Sequence, residues 1–441
     1  MFSNQALRKL IIPLFMEQIL IVFVGIITTM MISYAGEAAM SGVSLVDMIN
    51  FLLIFVLAAL ATGGAVVVSQ YIGHKEKDQA CKAASQLITI TAIFSMIIML
   101  LVIFFHKPTL WILFGNIEND VMAAAITYFV FSGLSYPFLG IYNSCAALFR
   151  SIGKSHITMN ISIIMNLINV AGNAIGIFLF HAGVTGVGIA TLISRAAAAL
   201  IMINLSLNKK NVVYIRFSEI FSWNVEMIRK ILNIAIPNGI ENGIFQLGRL
   251  IIISIISAFG TTQIAANGVA NSLVNMAVSF GSAMNLAIVT VIGQCVGAGD
   301  YLQANYYTKK LVKITYIGTL CINLGMILIL PWILKLYTLS AETYKLTYVI
   351  VLIHNIFAIL LWPISFTLSN GLRAAGDVRF PMIISIFSMF AFRVTFAYVL
   401  GVIFNMGVIG IWIAMVIDWA FRSIIFIVRF KSGKWMNFRV I

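Results

Sequence analysis

Charge is the scarcest resource in this 441-residue chain: Asp, Glu, Lys and Arg make up 10% of it, against 61% hydrophobic residues. A single water-soluble core of that composition could not be covered with polar surface. Acidic residues are scarcer still, 14 against 28 Lys and Arg, so the formal net charge is +14. Only four cysteines occur, Cys81, Cys145, Cys295 and Cys321, with no CxxC pair and no neighbouring histidines. That pattern offers neither a disulfide framework nor a zinc site. Nucleotide-binding loops, metal-ligand clusters and paired nucleophile and base are also missing, and no filter-like loop interrupts the apolar runs. We therefore expect no catalytic, cofactor-binding or metal residues, and a protein that is not an enzyme.

The apolar runs themselves far exceed what a membrane-spanning strand needs, and they do not alternate polar with apolar; Leu311 to Leu334 carries one early charge and then mostly Ile, Leu and Met. Backbone groups in lipid must be satisfied within their own segment, so the runs are read as helices. They fall at 10–34, 43–72, 83–105, 121–149, 157–180, 187–207, 231–259, 265–296, 311–334, 346–372, 380–404 and 408–429. Residues 1–9 are short and basic, but the run behind them is too long for a signal-peptide core and holds Pro13 and Glu17, so it stays as the first helix.

Placement of the positive charge then sets an orientation. Only Lys107, Lys335 and Lys345 lie in odd-numbered connections, and Arg195, Arg249, Arg393 and Arg422 lie within spans; the remaining Lys and Arg gather in the even connections and the termini. Such an asymmetry places the termini and even connections in the cytoplasm of a multi-pass protein of the cell (inner) membrane. The basic balance is a topology signal and implies no nucleic-acid partner.

Compared with itself at an offset of 224 residues, the chain pairs Pro13 with Pro237, Glu17 with Glu241, Gly36 with Gly260, Gln70 with Gln294, Gly73 with Gly297, and Gly183 and Gly186 with Gly407 and Gly410. One residue out of register, Arg150 and Gly153 match Arg373 and Gly376. Uncommon residue types at corresponding helix ends, in nearly one register through six helices, point to duplication. The expected fold is an all-α integral membrane protein of twelve transmembrane helices. It comprises an amino-terminal lobe 1–207 (helices 1–6), a cytoplasmic linker 208–230 and a carboxy-terminal lobe 231–441 (helices 7–12). An even number of helices per repeat makes the lobes parallel, related by a pseudo-two-fold along the membrane normal. That is an architecture for alternating access.

Ionisable residues inside a bilayer are costly and usually face the interior. Glu17, Asp47, Glu241 and Asp418 are the acids within spans and the candidates for ion coupling. Glu241 lies near mid-membrane and, like Glu17, four residues after a proline that favours a kink. It is the first choice; its alternative is a capping or amide-paired role beside Asn238 or Asn242. Asp418 and Arg422, at i and i+4, read most simply as a local ion pair, and Asp47 sits close enough to a helix start to reach the outer interface. Asn166, Asn169 and Asn173 form one stripe that either lines a cavity or binds a neighbouring helix. His354 is either a titrating group or an interhelical hydrogen-bond partner. Arg249 is explained by snorkelling.

The stretch Gln70 to Ala83, its repeat Gln294 to Ala304, and Leu148-Phe149-Arg150-Ser151-Ile152-Gly153, Gly371-Leu372-Arg373-Ala374-Ala375-Gly376-Asp377 and Gly183-Val184-Thr185-Gly186 together resemble the multidrug and toxic compound extrusion (MATE) family, over nearly the whole chain. The resemblance implies a two-lobed secondary active exporter of amphipathic small molecules or drugs, often organic cations, in exchange for protons or sodium; lipid or oligosaccharide-lipid flipping is the alternative in the wider superfamily. We expect membrane lipids as surroundings and a monomer. Family acids are replaced here: Thr28 stands for an aspartate in the first helix, Asn173 for one in the fifth. The carboxy-terminal acids of other members would fall near Phe245 or Gln246 and near Trp362. Thr28, Gln246 and His354 join the three asparagines as expected cavity-lining residues.

Overall fold

The computed structural model describes residues 2–115, 117–337 and 339–441. Twelve helices among them are long and apolar enough to cross a bilayer. In the amino-terminal half these are α1 (Asn4–Ser33), α2 (Glu37–Gly73), α3 (Lys77–Phe114), α4 (Asn119–Ser151), α5 (Ser155–Leu179) and α6 (Gly183–Ser206). In the carboxy-terminal half they are α7 (Val225–Ser257), α8, whose pieces are Thr261–Ala277 and Ser279–Gly297, α9 (Tyr301–Lys335), α10 (Ala341–Ala374), α11 (Arg379–Ile403) and α12 (Gly407–Lys431). Large apolar side chains such as Phe104, Ile112, Leu167, Leu328 and Trp332 stand exposed on the outer helix faces. Water would not tolerate a surface of that kind, whereas lipid tails match it.

Most helices run past the apolar spans at one or both ends, because polar and charged residues continue the helix beyond the hydrocarbon. α3, for example, begins at Lys77 and ends at Phe114 rather than covering 83–105. The eighth span also runs past both ends, but it breaks at Val278, where one continuous helix is expected from the sequence. Two side chains bend backwards there, Ser279 Oγ donating to the Met276 carbonyl at 2.8 Å and Ser282 Oγ to that of Val278 at 3.2 Å. The Ala277 carbonyl accepts instead from Asn323 Nδ2 of α9 at 3.2 Å. A helix can break inside a membrane only where a neighbour satisfies the freed backbone in this way.

The helices form two compact units, Ser3–Gly239 and Ile240–Ile441, the second including Phe2, whose amide donates to Tyr307 Oη at 2.9 Å. In the amino-terminal unit α4 packs against α2, α3 and α6, and α5 against α1 and α6. The segment after α6 is docked rather than loose. Gln86 Nε2 of α3 donates to the carbonyls of Glu219 at 2.7 Å and Ser222 at 2.6 Å, and Thr89 Oγ1 to that of Ile220 at 2.7 Å. Arg216 of the same segment pairs with Asp78, which raises its pKa, with Glu219 adding to the effect. In the carboxy-terminal unit α10 packs on the first piece of α8, on α9 and on α12.

The repeat reappears as backbone geometry. Gly36 and Gly260 both have positive φ (107° and 93°) just before α2 and α8, and Gly183 and Gly407 (52° and 57°) open α6 and α12. A residue with a Cβ is disfavoured at such angles, which explains why these glycines stand at matching positions. Widened π turns end α5 at Ile175–Leu179 and α11 at Val399–Ile403, also at matching positions.

Candidate functional site

The carboxy-terminal unit holds a half-open cavity of about 230 Å³ lined from five helices. α7 contributes Phe245 and Arg249; the first piece of α8 contributes Asn267, Asn271 and Asn275; α10 contributes His354, Trp362 and Phe366. Arg393 comes from α11, and Trp412 and Trp419 from α12. Two of these are aimed inward by irregular helix. Pro363 has no N–H and its ring excludes the normal partner carbonyl, so α10 widens into a π turn over Pro363–Leu368 that carries Phe366. A second π turn, Met389–Val394, carries Arg393.

Polar groups in the wall are held by one another. Trp412 Nε1 donates to Asn267 Oδ1 at 3.1 Å, and His354 Nδ1 lies 3.0 Å from Asn355 Oδ1, with its ring edge-on to Trp412 and Trp419 at 5.8 and 5.3 Å. The Arg393 guanidinium lies 5.2 Å from the Phe245 ring centre and 3.8 Å from Asp418 Oδ2. Asp418 is fully buried behind the wall and receives a hydrogen bond from Ser388 Oγ. The local pair expected between Asp418 and Arg422 is thus replaced by one reaching across to α11. Arg422 instead lays its guanidinium 4.6 Å from the Phe366 ring centre and donates to the Ser365 carbonyl at 3.4 Å. The i, i+4 rule describes helix surfaces facing water; here the π turn of α11 brings a competing arginine to the acid.

Glu241 lies on α7, one turn before Phe245, and is buried. Arg373 at the end of α10 sets Nη2 between its two carboxylate oxygens, 2.6 Å from each. The other terminal nitrogen donates to Asn370 Oδ1 at 3.2 Å and Ser369 Oγ at 3.4 Å. Glu241 is therefore an ion-pair partner, a role absent from the alternatives that sequence analysis weighed, because its arginine lies 132 residues further along the chain. The rest of that motif also joins helices: Asp377 accepts from Arg429 Nε of α12 at 2.7 Å.

In the amino-terminal unit the repeat mate Glu17 is buried too, but more loosely held. Thr158 Oγ1 of α5 donates to it at 3.3 Å, and Arg150, the mate of Arg373, acts on it electrostatically. Asp47 lies well inside α2, which starts at Glu37. It accepts from Asn50 Nδ2 at 3.0 Å in a cluster where Tyr136 Oη donates to Asn50 Oδ1 at 2.5 Å and Arg195 Nη1 to Ser135 Oγ at 2.7 Å. The asparagine stripe of α5 binds its own unit: Asn173 Nδ2 donates to Asn169 Oδ1 at 3.2 Å, Asn169 Nδ2 to Thr191 Oγ1 of α6 at 3.3 Å, and Asn166 Nδ2 to the Ser162 carbonyl at 2.8 Å. Thr28 is half-buried on α1, and Gln246 is half-buried beside Phe245 without lining the cavity. Phe245 and Trp362, where family resemblance would look for acids, do line it.

Asn267, Asn271 and Asn275 are not among the residues expected from the sequence, although their i, i+4, i+8 spacing is the same kind of signal as the stripe in α5. Nor is Arg249, for which snorkelling is the simpler expectation, although it lines the cavity.

The MatE family model matches residues 13–175 and again 237–399, the same 224-residue offset that relates the repeats. The chain belongs to the MatE family. It is 27% identical over 436 residues to "Uncharacterized transporter YisQ" of Bacillus subtilis, covering 96% of this chain and 93% of that one. It is 25% identical over 443 residues to "Probable multidrug resistance protein NorM" of Thermotoga maritima, covering 98% and 93%. Among solved structures, "Outward-facing conformation of a multidrug resistance MATE family transporter of the MOP superfamily" superposes with a TM-score of 0.90 at 20% identity, over 97% of this chain and 96% of that one. A MOP superfamily transporter from Pyrococcus furiosus, described under "Reverse polarity of binding pocket suggests different function", also reaches 0.90 at 20% identity, over 97% and 95%. At that identity these two establish the fold: a MATE-type, two-lobed, twelve-helix membrane protein. Lipid flipping gains no support from these relatives.

Proposed function

We propose that this MatE-family chain is a secondary active exporter of amphipathic small molecules, working as a monomer by alternating access and driven by protons or sodium. The observation that carries the reading is the cavity of the carboxy-terminal unit. Charged and amide side chains are costly to bury in lipid, and five helices gather them, together with aromatic rings, around one space large enough for a ring system. Multidrug resistance in the names of the relatives agrees with that use.

In this reading Glu241 remains the leading coupling carboxylate, ahead of Glu17, Asp47 and Asp418. Binding a proton or sodium at Glu241 requires Arg373 to withdraw, so the ion pair becomes one state of a two-state element that transport opens and closes. Substrate-driven proton and sodium flux in proteoliposomes tests this. Because Glu241→Gln alone strands a buried arginine, the variant to compare is Glu241→Gln with Arg373→Gln, which removes both charges. It should abolish ion-dependent export while inserting normally, and Glu17→Gln should do less. Full coupling in the double variant would make Glu241 a structural partner only. Orientation is proposed from the charge asymmetry, both termini cytoplasmic: a cysteine replacing Lys210 should react with an impermeant reagent only after cells are opened, and reaction in intact cells would reverse the topology.

A further inference from the structure

Among the described residues, the wall of the carboxy-terminal cavity carries two arginines, Arg249 and Arg393, and no acidic residue. Arg249 is an exposed side chain more than two turns inside the end of α7, and among the described residues it has no carboxylate within salt-bridge distance. A lone guanidinium at such a position is tolerable where it meets water or an anion, and costly where it meets lipid. Arg393 lies within electrostatic reach of both Arg249 and Arg422. Asp418 is the nearby acid, and it is shared: 3.8 Å from Arg393, within reach of Arg422, and committed on its other oxygen to Ser388. Glu241, the next acid, is already closed by Arg373. His354, buried and bonded to Asn355, adds no negative charge. One carboxylate therefore serves two of the three guanidinium groups around the cavity, Arg249 is left without one, and the two that face the cavity repel each other.

Around these charges the wall is aromatic, with Phe245, Phe366, Trp362, Trp412 and Trp419, and Asn271 and Asn275 supply amides. Benzene fills an apolar cavity of about 150 Å³, so 230 Å³ suits a fused bicyclic ring with a small polar group. We propose that this cavity binds an organic anion, an aromatic body bearing a sulfonate, carboxylate or phosphate that seats between Arg249 and Arg393. Guanidinium groups bind such oxyanions through charge-assisted hydrogen bonds, and the anion would relieve the arginines' mutual repulsion. A ligand ammonium placed there would meet like charge instead. The substrate class is thereby the opposite of the organic cations that family resemblance suggests. The inference rests on the transport reading only for its biological direction, since binding is measurable by itself.

The test uses the full chain in nanodiscs of zwitterionic phosphatidylcholine and two ligands with one ring and opposite charges, naphthalene-2-sulfonate and trimethyl(2-naphthyl)ammonium, titrated calorimetrically. The sulfonate should bind about tenfold tighter or better, a tenfold ratio being about 1.4 kcal/mol. Arg249→Gln should remove most of that preference, while Arg249→Lys keeps much of it; a folding defect would affect both. Arg393→Gln should act in the same direction, although it also frees Asp418. Equal or tighter binding of the ammonium, or an unchanged sulfonate affinity in Arg249→Gln, overturns the proposal. So does displacement of the sulfonate by a modest fraction of phosphatidylglycerol in the disc, which would assign the arginines to a lipid headgroup. Efflux from proteoliposomes separates the two readings. Sulfonate that binds but is not exported sinks the transport function and leaves the site standing. Export of the ammonium, indifferent to Arg249→Gln, does the reverse.

Discussion

The two halves of this chain share a backbone plan and differ in what the shared positions hold. At the repeat offset, Gly25 of α1 corresponds to Arg249 of α7, and Asn169 of α5 to Arg393 of α11. In the amino-terminal unit Asn169 links Asn173 to Thr191 and joins two helices. In the carboxy-terminal unit the same positions supply the cationic wall of a cavity. The motif after the fourth helix of each repeat diverges in a similar way. Arg373 closes on Glu241, whereas Glu17 is met by Thr158 with Arg150 acting from nearby. One residue past the matched glycine, Asp377 binds α12, while Lys154 donates to Asn211 of the docked segment at 2.9 Å. Duplication fixed the glycine turns, the closing π turns and the crossing of the fifth and sixth helices, and left side chains free to specialise: the asparagine stripe of α5 bonds within its unit, whereas asparagines and arginines of the other unit face a space.

The comparison is put under most strain at the two glutamates. Arg373→Gln leaves Glu241 as a buried charge without its partner, and breaking a buried pair from one side costs about 3–5 kcal/mol. Thr158→Val removes one hydrogen bond to Glu17, worth about 1.5–3 kcal/mol for a charged acceptor, and leaves Arg150 in place. Denaturation in mixed micelles should rank the variants in that order. Equal losses would mean that the two acids are held alike, and that the asymmetry between the units at this position is not real.

A second measurement sharpens the comparison where the units should agree. A Cβ on Gly186 would come within 2.8 Å of Gly176 Cα, and one on Gly410 within 2.7 Å of the Leu400 carbonyl carbon. Both clashes are with backbone at the crossing of the fifth and sixth helices of a repeat, where neither neighbour can rotate away. Gly186→Ala and Gly410→Ala should therefore each lose about 1–3 kcal/mol, the usual cost of overpacking, and by similar amounts in the same assay. A large difference between them would show that the crossings are not equivalent.

How much of this was legible in the sequence follows from the range of each interaction. The twelve spans were readable because hydropathy is local and the bilayer sets a length. The break at Val278 was not, since the freed Ala277 carbonyl is satisfied by Asn323 from another helix. Glu241 could be singled out as a buried acid and Arg373 as part of a motif, yet nothing local joins them. Asp418 was misassigned to Arg422 because the π turn that brings Arg393 into reach has no sequence signature strong enough to outweigh i, i+4 spacing. The asparagines of α8 were legible by periodicity alone, but periodicity would not have said that they face a cavity while those of α5 face another helix.

That last distinction gives the smallest effect and the sharpest contrast. Asn169→Ala cuts both links of the chain from Asn173 to Thr191. Interhelical hydrogen bonds in membranes average only about 0.6 kcal/mol, because the separated helices find other partners in the bilayer. A loss near that figure is expected, with no change in ligand affinity. Asn271 lines the cavity and, among the described residues, donates only to the carbonyl of Asn267 in its own helix, at 2.8 Å. Asn271→Ala should leave stability nearly unchanged and weaken binding of whatever the cavity holds, read in the same calorimetric titration as the arginine variants. The two asparagines thus exchange phenotypes: one acts on unfolding, the other on affinity. If Asn169→Ala weakened ligand binding as much as Asn271→Ala, the stripe of α5 would line a second site, and the division of labour between the two units would have to be abandoned.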